Sequence, residues 1–429
     1  MLTVNKYLES SESQIFNIPY MSEHDESITK FEESTIYEDN HGLGKLDSAT
    51  EYSYTTNNED IFYLPSNSYL LATLKLTKGD ESAYADADLA TIDWNAFNIF
   101  DTCRLYLDDI ELERIDHVGI STMLYNLTKY TFSENNSIRH SQLLDLNREN
   151  IRDYMKICGR EIEVLLPLRK MFPFLYEVPH VFRGVKFRIH LTKNDDNKVV
   201  YKWSTPAAQN VAAVDAPVDG KFIITKMVWK LPYVEPSLQV QAKLENMLAK
   251  NSTFNFKYHA TSVYKFTPSK TQDLRVNLSS SIHKPEHIFV FFQKLKRGTQ
   301  QTDSYMGFDH MNTEYCNVEI NGKRFPENNT ICDFAHKKVH ESFNQFLRSC
   351  KEGVSWTESY MNYINHFPIF HIDVSKHPPN LYDNTSFPNI VVNAKFREVP
   401  TDDFCLFVVV YNIRDVSLQL DQKKMKIIK

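Results

Sequence analysis

His336 and His340, four residues apart in "CDFAHKKVHESFNQFLRSC" (Cys332 to Cys350), have the spacing that places two imidazoles on one metal ion if the segment is helical. Lys337 stands where a zinc hydrolase of that pattern carries glutamate, and no third ligand accompanies the pair, so the residues read as a solvated helix face. Two acid pairs, Asp108-Asp109 and Asp195-Asp196, offer adjacent carboxylates. Neighbours in a turn point apart, however, and aspartate is a turn former in its own right. Trp229 and the run "FVFF" (Phe289 to Phe292) have the flat faces that stack on sugars, but both sit within strand patterns and read as core. There is no glycine-rich phosphate loop, no G-x-S-x-G elbow and no Cys/His pair in a recognisable context. No catalytic, cofactor-binding or metal-binding residue is assigned, and no cofactor is implied.

The six cysteines, Cys103, Cys158, Cys316, Cys332, Cys350 and Cys405, are scattered with no CxxC pair. The N-terminal residues "MLTVNKYLESSESQIF" lack an apolar h-region, and the longest apolar run, "FCLFVVVY" (Phe404 to Tyr411), has the length of a strand and not of a membrane span. A chain made in the cytosol or nucleus with free thiols is expected. The sequons at Asn126 and Asn277 then read as chance matches. A formal net charge of −7 argues against a general nucleic-acid binder; only the tail "QKKMKIIK" (Gln422 to Lys429) is locally basic, and it reads as a solvated chain end or as a contact for an anionic partner.

The elements that must carry these residues are mostly strands. At 429 residues the chain has room for two or three domains, and 13% aromatic residues with only 11 glycines favour β structure. Alternation marks "EYSYTT" (Glu51 to Thr56) and "FNFKYHATSVYKF" (Phe254 to Phe266), while "SYLLATLKLT" (Ser68 to Thr77) reads as a buried strand. The first ~45 residues, rich in Ser, Glu, Asp and Asn, alternate poorly and read as an extended arm.

One local device occurs twice. In "CRLYLDDIELER" (Cys103 to Arg114), Leu105 and Leu107 share a face and Asp108-Asp109 supplies the reversal; in "CNVEINGKRFPE" (Cys316 to Glu327), Val318 and Ile320 hold the equivalent places and Asn321-Gly322 is a strong type I′ signal. Helical spacing follows each hairpin, in "HVGISTMLYNLTKYT" (His117 to Thr131) and across Cys332 to Cys350. Each half then shows a strand pair and closes on an apolar strand, "KFIITKMVWKLP" (Lys221 to Pro232) and "DFCLFVVVYNI" (Asp403 to Ile413). A helix is expected over "PSLQVQAKLENMLAKNS" (Pro236 to Ser252), between the halves. The division predicted is an arm at 1–45, a first β domain at 46–236, a linker helix at 237–252 and a second β domain at 253–429 ending in the basic tail. Eight-stranded sandwiches with long excursions between strands are jelly rolls, so the fold class expected is mainly β, two tandem jelly rolls with short helices after the hairpins.

The order of phrases resembles the double jelly-roll major capsid proteins of the adenovirus and tailless-phage lineage, with the Polinton (Maverick) and adintovirus members nearest. The phrases are "NNEDIFYLPSNSYLLATLKL", "FNIFDTCRLYLDDIELE", "LLPLRKMFPFL" with "FRIHLTKNDDNKVVY", "ITKMVWKLPYVEPS", "EHIFVFFQK", "VEINGKRFP" and "FPIFHIDVSKHPPNL". Thr192-Lys193 departs from the pattern, standing where the family often has Arg.

The resemblance implies a structural protein and not an enzyme: homotrimers forming pseudo-hexagonal capsomers that tile an icosahedral shell. Its partners would be itself, neighbouring capsomers, penton and minor capsid proteins, and an internal membrane or core touched by the termini, with no specific nucleic acid. Its place would be the virion capsid, made in host cytoplasm and assembled there or in the nucleus. The loops Thr131 to Gly159, Val199 to Gly220 and Gly298 to Glu314 would form an outer turret or a clasp, and the arm would reach a neighbouring capsomer. The alternative readings are a host-attachment or glycan-binding protein on the same fold and a genome-resident copy whose assembly role has lapsed.

Overall fold

The period-two pattern becomes paired strands in two parallel sets. The computed structural model describes residues 28–39, 51–58, 61–83, 90–93, 95–130, 161–202, 220–249, 253–278, 282, 284–351, 360–376, 388–421 and 424–428. The first half contains β1 (Ile28–Ile36), β2 (Glu51–Thr55), β3 (Tyr69–Lys78), β4 (Phe100–Leu107), β5 (Ile110–Asp116), β6 (Glu161–Pro167), β7 (Phe187–Lys193) and β8 (Gly220–Pro236). The second contains β9 (Thr253–Phe266), β10 (Asp273–Asn277), β11 (Pro285–Lys294), β12 (Thr313–Ile320), β13 (Lys323–Phe325), β14 (Phe370–Asp373), β15 (Ile390–Phe396) and β16 (Phe404–Asp421).

The sheets run β1-β8-β3-β6 and β2-β7-β4-β5 in one half, β9-β16-β11-β14 and β10-β15-β12-β13 in the other. Adding eight to each strand of the first half reproduces the second, so the internal repeat seen in the sequence is a repeat of topology. Each half is an antiparallel jelly roll whose two sheets turn their apolar faces inward. The short strands Phe62–Tyr63 and Lys424–Ile428 extend β8 and β16, and Ala90–Ile92 pairs with Val200–Lys202.

Both hairpins form as expected. Leu105, Leu107, Val318 and Ile320 are all at most 1% exposed. Asn321 and Gly322 have φ of 51° and 80°, the pair of positive angles that a type I′ turn needs. A Cβ on Gly322 would meet nothing within 4 Å, so the glycine is there for its backbone angle alone. Asp108 also takes positive φ, and its carboxylate accepts the amide of Lys186 at 3.0 Å, which makes it a turn residue and not half of an acid/base pair.

Helix α1 (Val118–Lys129) follows the first hairpin, α2 (Leu238–Ala249) lies between the halves, and α3 (His340–Leu347) and α4 (Tyr360–His366) follow the second hairpin. The helix expected across Cys332 to Cys350 is thus confined to its second half. Residues 333–338 form a tight reversal closed by an Asp333/Lys338 bridge, with Lys337 at φ 57°; Asp333 accepts the amide of His336 and diverts the backbone from helical bonding.

The segment read as an arm contains β1, which pairs with β8 from Ile28↔Pro236 to Ile36↔Trp229. The first roll therefore has a strand upstream of residue 46. Its pattern was silent because β1 buries little on either face. The basic tail likewise contains a strand, Lys424–Ile428, folded back on β16, so it is not simply a solvated end. Residues 131–159 and 203–219 of the expected loops lie outside the described residues.

Candidate functional site

For a chain built of two rolls, the feature that decides its shape is the seam between them. β5 and the short helix Pro173–Glu177 supply the first roll's side; β9 and β16 supply the second's. The carbonyl of Leu112 accepts two bonds across the seam, from the Tyr258 hydroxyl at 3.0 Å and the Arg414 guanidinium at 3.1 Å. Phe174 meets the Tyr258 ring edge-on at 5.2 Å. α1 lies over β16, with Thr128 and Tyr411 hydroxyls 3.2 Å apart and Tyr125 packed on Tyr411. A single buried apolar cluster runs through both rolls. Paired, buried and aromatic-rich contacts of this kind hold two domains at one angle.

Two ionisable groups sit in the seam. A bulge in the β4/β5 ladder pairs Leu105 with Glu113 and Tyr106 with Glu111, so that Leu112 and Glu113 both turn inward. Glu113 is 2% exposed; one carboxyl oxygen accepts the amide of Phe174 at 3.2 Å and the other, among the described residues, has no partner. Burial pushes its pKa up to about 8. His259 lies between carboxylates of both rolls, Glu177 at 2.8 Å and Glu286 at 2.9 Å. With a carboxylate on each ring nitrogen the imidazolium is favoured, and the bond to Glu177 raises the pKa most. Strict alternation from Ile110 and Leu112 puts Glu113 on the outward face, and the His259 contact joins residues 82 apart in sequence; neither is legible in the sequence.

The connection Gly298 to Glu314 is a tie between rolls and not a free turret. Gln301 bonds both amide and carbonyl of Gly220 at 2.8 Å, Ser304 bonds Asp93 at 2.6 Å, and Tyr305 and Met306 are buried. Its base is clamped by Arg297, which grips Asp309 with two bonds of 2.8 and 3.0 Å and donates a third to the Ser304 carbonyl at 3.0 Å.

The other residues singled out by type fall elsewhere. His336 faces Asp333 at 2.9 Å in the reversal, whereas His340 stacks on Tyr360 at 4.2 Å, so the two imidazoles do not share a helix face. Among the described residues no three His, Cys, Asp or Glu groups converge as a metal site. Asp195 caps the turn at Asn197, and Asp196 pairs with Lys193 at 3.6 Å and accepts the Phe222 amide at 3.1 Å. Lys193, at the position where the family often has Arg, is 5% exposed with its ammonium 4.2 Å from the centre of the Phe222 ring. Trp229 and Phe289 to Phe292 are core, none more than 1% exposed. Cys103, Cys316, Cys332, Cys350 and Cys405 are free thiols; Cys158 lies outside the described residues. Asn126 is buried in α1, which fits a chance sequon. Among the described residues no helix is long and apolar enough to cross a membrane.

No curated protein matches the chain at a significant level. Solved structures do. The Faustovirus major capsid protein superposes with a TM-score of 0.56 at 7% identity, covering 95% of this chain and 93% of that one. The mavirus major capsid protein gives 0.53 at 10% identity, covering 98% and 94%. PBCV-1 VP54, fitted into a reconstruction of the virophage Sputnik, gives 0.57 at 10% identity, covering 93% and 97%. Identities this low speak for the fold. Residues 91–406 match the double jelly roll-like domain family, and with well over half its length matched, the chain belongs to that family.

Proposed function

We propose that this protein is a viral, or virus-like transposon, major capsid protein that assembles as closed homotrimers tiling an icosahedral shell. The observation that carries the reading is the doubled strand order, fixed across a buried seam. Two like rolls held at one angle present two like columns, and three such chains present six, a near-hexagonal tile from one gene product; cyclic closure makes the tile self-limiting. The fold likeness to viral major capsid proteins supports it. On this reading the chain is not an enzyme, each subunit buries more than about 2,000 Å² against its neighbours, and the Polinton and adintovirus proteins are its nearest kin by order of phrases. Residence in the virion, assembly in host cytoplasm or nucleus, and contacts with penton proteins or an internal membrane belong to the same proposal. The buried state of Trp229 and Phe289 to Phe292 removes the aromatic platform on which a glycan-binding reading rested.

The test is the mass of the purified protein by light scattering after size exclusion, followed by electron microscopy. A species of about three times the 50.2 kDa chain is expected. A clean monomer at micromolar concentration would sink the reading.

A further inference from the structure

β16 runs along the seam and is gripped differently at its two ends. At Arg414 it bonds the Leu112 carbonyl, and His259, opposite Ile413 on the neighbouring strand, bonds Glu177 through both its ring and its amide. Seven residues earlier, about 23 Å along an extended strand, Phe407 packs edge-on with the His117 ring at 5.4 Å. Tyr411, packed against α1, lies between the two ends.

His117 immediately precedes α1 and stands in the left-handed region at φ 51°, with its side chain 19% exposed. Its Nδ1 lies 3.4 Å from the Tyr305 hydroxyl of the second roll and 3.8 Å from Asp101. The charged groups facing it are Asp101 on β4, Asp116 on β5, Lys198 in the turn after β7 and Lys265 on β9. Both acids are already engaged, Asp101 by Lys198 at 3.2 Å and Asp116 by Arg114 at 3.1 Å, while Lys265 lies 5.4 Å from the centre of the same Phe407 ring. A proton added to His117 meets two cations and no unengaged carboxylate.

The two ends respond to pH with opposite sign. Burial lowers the pKa of His117 to about 4, so its contribution is complete above 6.5 and is lost as pH falls toward 4. Glu113 and His259 are raised, so theirs are greatest in acid and are lost as pH rises. Near pH 5 one end of the seam is close to its strongest while the other is weakened.

We propose that the seam is an acid-opened hinge: protonation of His117 frees the start of α1 from Phe407 and Tyr305, and the rolls pivot about the Glu113/His259 end, which the same acid strengthens. The tie from Gly298 to Glu314, bonded to the first roll through Gln301 and Ser304, limits the opening. The device belongs to the single chain and needs no neighbouring copy.

The experiment is hydrogen exchange by mass spectrometry on the purified full chain at pH 7 and pH 5, corrected for the direct effect of pH on exchange chemistry. A proton that binds at 6.5 in the open state and at about 4 in the closed one raises the open fraction about twentyfold over that interval. Protection of residues 118–123 and 304–308 should fall by that factor, while the amides of Phe174 and His259, which donate to Glu113 and Glu177, keep theirs. His117→Asn, whose asparagine accepts the left-handed backbone without a titrating group, should lose the dependence. His287→Asn should keep it, because that imidazole bonds His371 at 3.1 Å inside the second roll, with Asp373, Lys129 and His259 near it. Lys265→Met, which removes a facing cation and leaves His117 in place, should show a smaller rise than wild type, and decides the matter if the asparagine variant does not fold. Equal protection at both pH values, a loss as large at Phe174 and His259, acid opening that persists in His117→Asn or disappears in His287→Asn, or an undiminished rise in Lys265→Met would each overturn the hinge.

Discussion

His259 and Glu177 meet 2.8 Å apart across the seam, a second-roll imidazole against a first-roll carboxylate, with Glu286 on the other ring nitrogen at 2.9 Å. The seam is thus held by protonation as well as by packing.

A dependence of stability on pH follows. Glu113 has its pKa raised above the unfolded value of 4.5 to about 8, chiefly by burial. His259 is raised above 6.5, chiefly by Glu177. For a raised group the stabilising contribution is complete below the unfolded pKa and is lost as pH rises through the folded one. His117 and His287 are lowered to about 4 by burial, so their contribution is present above 6.5 and is lost as pH falls toward 4. Stability should peak near pH 6 and fall on both sides. In Glu113→Gln most of the fall above pH 6, on the order of 2–3 kcal/mol by pH 8, should vanish. Denaturant midpoints across pH check it; a profile parallel to wild type would show that Glu113 does not titrate as its burial requires.

The Arg297–Asp309 pair should be costly to break from one side. The side chains are only 16% and 15% exposed, so Asp309→Ala leaves a guanidinium without its carboxylate and is expected to lose about 3–5 kcal/mol in urea unfolding. A loss below about 1 kcal/mol would mean that water reaches the pair freely.

Two glycines should respond differently. Gly322→Val puts a β-branched residue at φ 80° in open space, a backbone penalty of about 1–2 kcal/mol. At Gly119 an added Cβ would lie 2.4 Å from Asn98 Oδ1, in a buried network where Asn98 also bonds the Lys198 carbonyl and takes a bond from Asn194. Gly119→Ala should therefore cost more, about 2–4 kcal/mol. Thermal unfolding of the two variants decides the order.

Truncation separates strand from arm. A chain lacking residues 1–27 keeps β1 and serves as the reference. Removing 1–40 strips β1 from β8 along Trp229 to Pro236 and should cost about 1 kcal/mol for each ladder hydrogen bond lost, so any assembly defect in that variant reflects a damaged roll. Equal midpoints for the two truncations would show that β1 does not pair with β8 in solution.

The hairpins at Asp108 and Asn321-Gly322, the buried strands around Trp229 and Phe289 to Phe292, and α1 were legible because each depends on neighbours within a few residues: a turn chemistry, or a period of two or 3.6. β1 was not, since an edge strand with both faces largely open has no apolar alternation to show. The His336/His340 spacing misled because Asp333 bonds the backbone of His336 and holds the segment out of a helix.

The sequence by itself determined that two similar β units follow one another, since duplication preserves local patterns in order. Only the tertiary structure decided which faces of those units meet. That choice lies in contacts such as Leu112 with Tyr258, 146 residues apart, and in a single bulged residue that turns Glu113 inward. Neither leaves a trace in hydrophobic period, because a long-range contact constrains shape and charge at two distant places and the pattern at neither.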